Sequence, residues 1–212
     1  MSWLSTFKIL FTYDLYSAWT LRHQTFFMLI LATLIAGLLG FCLQSVSFTD
    51  ALKLSWIHTI LIYLIAIPEI WSQDFLNGRL DALIAHGIPI SAYVWARWLW
   101  HSLMAGLNLC ICATITLTCL GHTPTLGFYI SLLTTLPLLS WQGLMMGFVY
   151  TQHRVTLYQL GLLSLPLLTP LLLSGLLQTL APHTMIVYVL AGLFLCIAPI
   201  YSLLLSTLIY HR

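Results

Sequence analysis

Apolar residues run along this chain in stretches too continuous for the half-buried helices of a water-soluble domain. Six stand at about 25 to 43, 52 to 68, 91 to 119, 126 to 150, 157 to 180 and 185 to 209. Crossing the hydrocarbon layer takes roughly 17–25 mostly apolar residues, so the pattern predicts an all-α polytopic membrane protein with six transmembrane helices. Ahead of them, residues 2 to 20 place Trp3, Phe7, Leu10, Phe11, Ala18 and Trp19 at near-helical spacing, with Ser5, Lys8, Thr12 and Tyr16 largely on other faces. That division predicts an amphipathic helix lying in the membrane interface, where tryptophan suits the headgroup layer. The third stretch exceeds the needs of one span, so its first turns, around Tyr93, Trp95, Arg97, Trp98 and Trp100, are expected in the interface. Pro124, Pro137, Pro166, Pro170 and Pro199 predict breaks or kinks.

Composition sharpens the reading. Sixty per cent of the 212 residues are apolar and 6% charged, against about 25% charged in soluble domains. No separate soluble domain fits, and a single transmembrane domain over residues 1–212 is expected. The net charge of +2 rests on isolated groups without a basic run, which argues against a nucleic-acid partner. Cys42, Cys110, Cys112, Cys119 and Cys196 all lie in apolar stretches without a CxxC pair, as membrane-packed thiols do. Lys8, Asp14 and Arg22 interrupt the first segment, which therefore lacks a signal-peptide core and is expected in the mature protein. With six spans, Lys8, Arg22, Arg79, Arg97, Arg154 and Arg212 fall on one side and only Lys53 on the other. The positive-inside rule then places both termini in the cytoplasm.

One loop is long enough to carry structure of its own, residues 69 to 90 on the side read as cytoplasmic. Leu76, Leu80, Leu83 and Ile84 share a helical face there, while Asp74, Arg79 and Asp81 can point away. Such a helix can lie on lipid, cover the protein's own helix ends, or dock into a soluble partner. Its acidic residues favour the partner, because a lipid-surface helix offers lysine and arginine to anionic headgroups.

The run Asp74-Phe75-Leu76-Asn77-Gly78-Arg79-Leu80-Asp81-Ala82-Leu83, followed by Pro89, resembles the acidic, glycine-containing loop of the haem exporter B family. That family supplies the permease subunit of the cytochrome c maturation ABC transporter. A second match, Leu165-Pro166-Leu167-Leu168-Thr169-Pro170-Leu171-Leu172, resembles the LP-x-x-x-P-L-L pattern of its fifth span. Pro68-Glu69 and Gln73 depart from the more heavily charged approach to the loop expected in the family.

The resemblance implies an ABC-2-type exporter permease, paired with a second copy of itself and with ATP-binding subunits. It implies that closure of those subunits pushes on a coupling segment at about 70–86, with Leu76, Leu80 and Leu83 as the anchor face. Asp74, Arg79 and Asp81 would fix register, around Gly78. The chain contains no GxxxxGK[ST] loop, so ATP belongs to a partner and this chain is not itself an enzyme. The resemblance further implies a haem-handling membrane partner, a periplasmic haem chaperone, haem as cargo without a resident cofactor, and the bacterial inner membrane. The mitochondrial inner membrane is the second location that fits. The product of ATP use is either haem export or release of loaded chaperone. His23, His86, His153 and His211 fall near the cytoplasmic interface and His122 and His183 in external turns, whereas His58 and His101 lie deeper. Those two are the candidates for a substrate path, against the plainer reading of a hydrogen bond between helices. No HExxH metal motif or nucleophile-and-base pattern marks an intramembrane enzyme. A secondary transporter would carry charge within its last four spans, and a non-transporting assembly subunit shares the composition and stays open as an alternative.

Overall fold

We describe the chain from a computed structural model, in residues 3–20, 22–43, 45–67, 71, 74–75, 77–153 and 198–209. The described residues are largely helical, with no strand among them. The helices are α1 (Trp3–Thr20), α2 (Arg22–Cys42), α3 (Phe48–Ala66), a short α4 (Arg79–Ala85), α5 (Ile90–Cys119), α6 (Leu126–His153) and α7 (Ala198–Ile209). Phe48–Ile65, Ile90–Cys119 and Leu126–Gln152 are each long and apolar enough to cross a membrane, while Leu29–Cys42 and Ala198–Ile209 are shorter apolar helices. The second, third and fourth expected spans thus correspond to α3, α5 and α6, and the first falls on α2, whose apolar part Leu29–Cys42 is shorter. The fifth, with its double-proline motif, and most of the sixth lie outside the described residues.

Local chemistry sets the boundaries. Ser47 starts α3: its hydroxyl accepts from the Asp50 amide at 3.2 Å and donates to the Asp50 carboxylate at 2.7 Å, a reciprocal cap. Lys53, 2.8 Å from the same carboxylate, completes an exposed chain of polar contacts at this end. Two glycines bracket α4. Gly78 precedes it at φ +63° and Gly87 follows at φ +62°, left-handed conformations that a side chain disfavours. At Gly87 the amides of Gly87 and Ile88 reach back to Ile84 and Leu83 at 3.0 Å each, the Schellman ending of a helix.

The long α5 is the spine, and α1, α2, α3 and α6 all pack against it. Small residues permit the approaches. A Cβ on Gly40 of α2 would overlap the Cys119 carbonyl, and one on Gly106 would press on Leu136 at 3.1 Å. Around α6, aromatic rings donate to backbone carbonyls: Tyr63 to Leu139 at 2.6 Å, Trp98 to Pro137 at 3.1 Å and Trp71 to Leu144 at 2.8 Å. Each ring fills apolar volume with its body and spends its polar tip on a helix acceptor, as a buried tyrosine or tryptophan requires. Pro137 lies inside α6 and does not end it. Trp95, Trp98 and Trp141 pack mutually at ring-centroid distances of 5.2–5.5 Å, so the first turns of α5, expected in the interface, are packed into the protein.

The first helix departs from the expected amphipathic division. Its inward face carries Thr6, Leu10 and Asp14, all buried, while Leu4, Ile9, Tyr13, Leu15 and Tyr16 are exposed. A carboxylate turns inward because its counter-charges are there.

Gly143 supplies a test of this packing. A Cβ there would collide with the Tyr63 hydroxyl and come 3.3 Å from His101 Nε2, whereas Gly37 has nothing within 4 Å. Overpacking costs about 1–3 kcal/mol. Gly143→Ala is therefore expected to lower the melting temperature of the detergent-solubilised protein by roughly 3–10 °C, at about 2–4 °C per kcal/mol. Gly37→Ala in the same assay should be neutral or slightly stabilising.

Candidate functional site

The loop read from sequence as a docking element is anchored from inside. Two of the chain's acids, Asp14 and Asp74, meet two arginines, Arg79 and Arg97, in a closed set of ion pairs. Arg79 Nη1 donates to Asp14 Oδ1 at 2.9 Å and to Asp74 Oδ1 at 3.1 Å. Arg97 donates from Nη1 to Asp14 Oδ1 at 3.3 Å and from Nη2 to Asp74 Oδ2 at 2.9 Å. The Tyr93 hydroxyl donates to Asp74 Oδ2 at 2.7 Å. Arg79 also lies over the Tyr13 ring, 4.3 Å from its centroid. The two carboxylates are almost wholly buried and the arginine side chains only 13–17% exposed.

Each member comes from a different segment: Asp14 from α1, Asp74 from the α3–α4 connection, Arg79 from the first residue of α4, Arg97 from α5. The formal charges cancel, which is what lets four of them share one buried site. Burial opposes the Arg79 charge, but the Asp14 and Asp74 carboxylates more than offset it and hold the guanidinium above its ordinary range. The set acts as a rivet through α1, the connection, α4 and α5.

The expected loop residues fall into two groups. Asp74 and Arg79 point inward into this cluster rather than away. Leu80 is fully buried and Leu83 8% exposed, both in the chain's own apolar core. The expected anchor face of leucines is thus covered by the protein itself, as part of its apolar core. Leu76 lies outside the described residues. Gly78 forms the left-handed step into α4. Among the described residues of the segment, Asn77, Asp81, Ala82, Ala85 and His86 are exposed. Asp14, Arg97 and Tyr93 are site residues that the loop pattern did not identify.

The two deep histidines bond between helices. His58, 2% exposed, lies with Nδ1 2.7 Å from Thr116 Oγ1. Thr116 donates its own proton to Cys112 O, so His58 Nδ1 is the donor. His101 Nε2 is 3.1 Å from the Tyr63 oxygen, whose proton goes to Leu139 O; His101 is the donor here too. Among the described residues no group of three histidine, cysteine or carboxylate side chains could hold a metal ion.

Comparison with known proteins bears on nearly the whole chain. The family described as "CcmB protein" matches residues 7–210. Two curated relatives, each named "Heme exporter protein B", come from Rhodobacter capsulatus and Paracoccus denitrificans. Each is 32% identical over 123 residues, 57% of this chain and 56% of the relative. The alignment therefore spans little more than half the length of these relatives. No solved structure matches.

Removing one member of the cluster strands a buried charge, at about 3–5 kcal/mol. Asp14→Asn should lower the melting temperature by on the order of 10 °C. Replacing a charge pair together, Asp14→Leu with Arg79→Met, should cost less than the sum of the single losses. Additive losses in differential scanning fluorimetry would show that the two residues do not act as a pair.

Proposed function

The chain belongs to the CcmB protein family, and on that premise we propose that it is the permease subunit of an ABC transporter acting in cytochrome c maturation. It couples ATP hydrolysis in a separate subunit to haem export or to release of a haem-loaded chaperone. Two copies pair with ATP-binding subunits in the bacterial inner membrane, termini in the cytoplasm, alongside a haem-handling membrane partner and a periplasmic haem chaperone. The names of the two relatives support haem as the cargo.

The observation that carries the coupling role is the mounting of α4. A lever needs a free face for the partner and a stiff attachment to the spans. The outward face presents Asp81, Ala82, Ala85 and His86, and the inward face is held by Leu80, Leu83 and the ion pairs of Arg79. Force applied to α4 would pass through Asp74 and Arg97 to α5 and through Asp14 to α1. The small alanines allow close approach of a partner surface, and the leucines beneath them set the position of the helix.

This reading separates two kinds of variant. Ala82→Arg or Ala85→Arg should leave insertion and melting temperature unchanged while reducing copurification of the ATP-binding subunit by about tenfold or more, the loss expected when about 1.4 kcal/mol of interface is removed. Leu80→Asp, by contrast, should destabilise the fold itself, since it buries an unpaired charge. Wild-type copurification with both alanine variants would refute the proposed face.

A further inference from the structure

We propose that Ser102 and Ser140 form a water-binding site inside the α5–α6 seam. The inference goes beyond the permease reading and does not rest on it. Hydroxyls on these two helices follow a consistent habit: Thr114, Thr116, Thr118, Ser131, Thr134 and Thr135 each donate to a carbonyl three or four residues earlier, at 2.7–3.0 Å. That is how serine and threonine ordinarily satisfy themselves in a helix. Ser102 and Ser140 break the habit. Both hydroxyl oxygens are buried and neither has a partner among the described residues.

The register brings the two together. Helices α5 and α6 run antiparallel across the short turn between Cys119 and Leu126. Gly106 meets Leu136, and His101 lies beside Gly143. Ser102 stands one turn before Gly106 and Ser140 one turn after Leu136, so their turns face each other between those two contacts. Tyr63 flanks the same place: its hydroxyl lies against Gly143, accepts from His101 and donates to Leu139.

An unsatisfied buried hydroxyl is costly, and a buried water that bonds two to four polar groups is the usual remedy. Ser102 and Ser140, on facing turns, offer the two hydroxyls that such a water needs.

Two measurements test the site. In detergent-solubilised full-length protein, Ser102→Ala and Ser140→Ala should each lower the melting temperature by about 2–4 °C, equivalent to about 1 kcal/mol. The double variant should lose little more than either single one, because the same water is lost. Neutral or stabilising single substitutions, or additive losses, would overturn the proposal. X-ray radiolytic labelling in ¹⁸O water reads the solvent directly, separating a water from a bond made directly between the serines. Tyr63, only 1% exposed, should take up label in the wild type and several-fold less in the double variant. An unlabelled Tyr63 in the wild type would also overturn it.

Discussion

Four charges in a place where charge is expensive set the terms for the rest of this structure. Asp14, Asp74, Arg79 and Arg97 can be buried only together, because each carboxylate touches both guanidiniums and each guanidinium both carboxylates. This mutual dependence makes the cluster a joint. Helix α1 cannot turn its Asp14 face away, α4 cannot lift its first residue, and the connection cannot move Asp74 without leaving an uncompensated charge behind. The penalty for that exceeds what the pairs contribute over an apolar replacement, so the cluster specifies an arrangement more than it stabilises one.

The rest of the packing agrees with that joint. Above the cluster, α5 carries Tyr93, Arg97 and His101 at intervals of four, a polar stripe that leads from the loop into the bundle. Tyr93 and Arg97 belong to the ion pairs, and His101 bonds to Tyr63 of α3. The aromatic donors then tie α6 to the same spine. In the proposed permease, α4 is the exposed end of this train and offers Asp81, Ala82 and Ala85 outward, while the leucines beneath are committed to the protein's own core.

Much of this was legible in the sequence, for reasons that differ by element. Helices α2, α3, α5 and α6 follow from apolar length alone, a signal that tertiary context seldom overrides in a membrane. Gly78 and Gly87, together with the leucine spacing, marked α4. The direction of its leucine face was not legible, because amphipathic periodicity says that one face is apolar and not whether the chain or a partner covers it. Asp14 escaped because it lies 65 residues from Arg79 and 83 from Arg97 in the chain, and Arg97 because it was read as an interfacial residue of the third stretch. A signal was present all the same. An arginine two turns into an apolar helix needs an acid, and the chain has only Asp14, Asp50, Glu69, Asp74 and Asp81, with Asp50 next to Lys53. The inward turn of Ser102 and Ser140 left no trace in composition, since it depends on the register between α5 and α6.

Hydrogen–deuterium exchange of the purified protein, read by mass spectrometry with and without Arg97→Gln, tests the central claim most directly. If the four charges form one joint, α1 and residues 74–86 lose protection together, while the middle of α5 and α6 stays protected. Loss confined to the turn around residue 97, with α1 and α4 unchanged, would contradict the account.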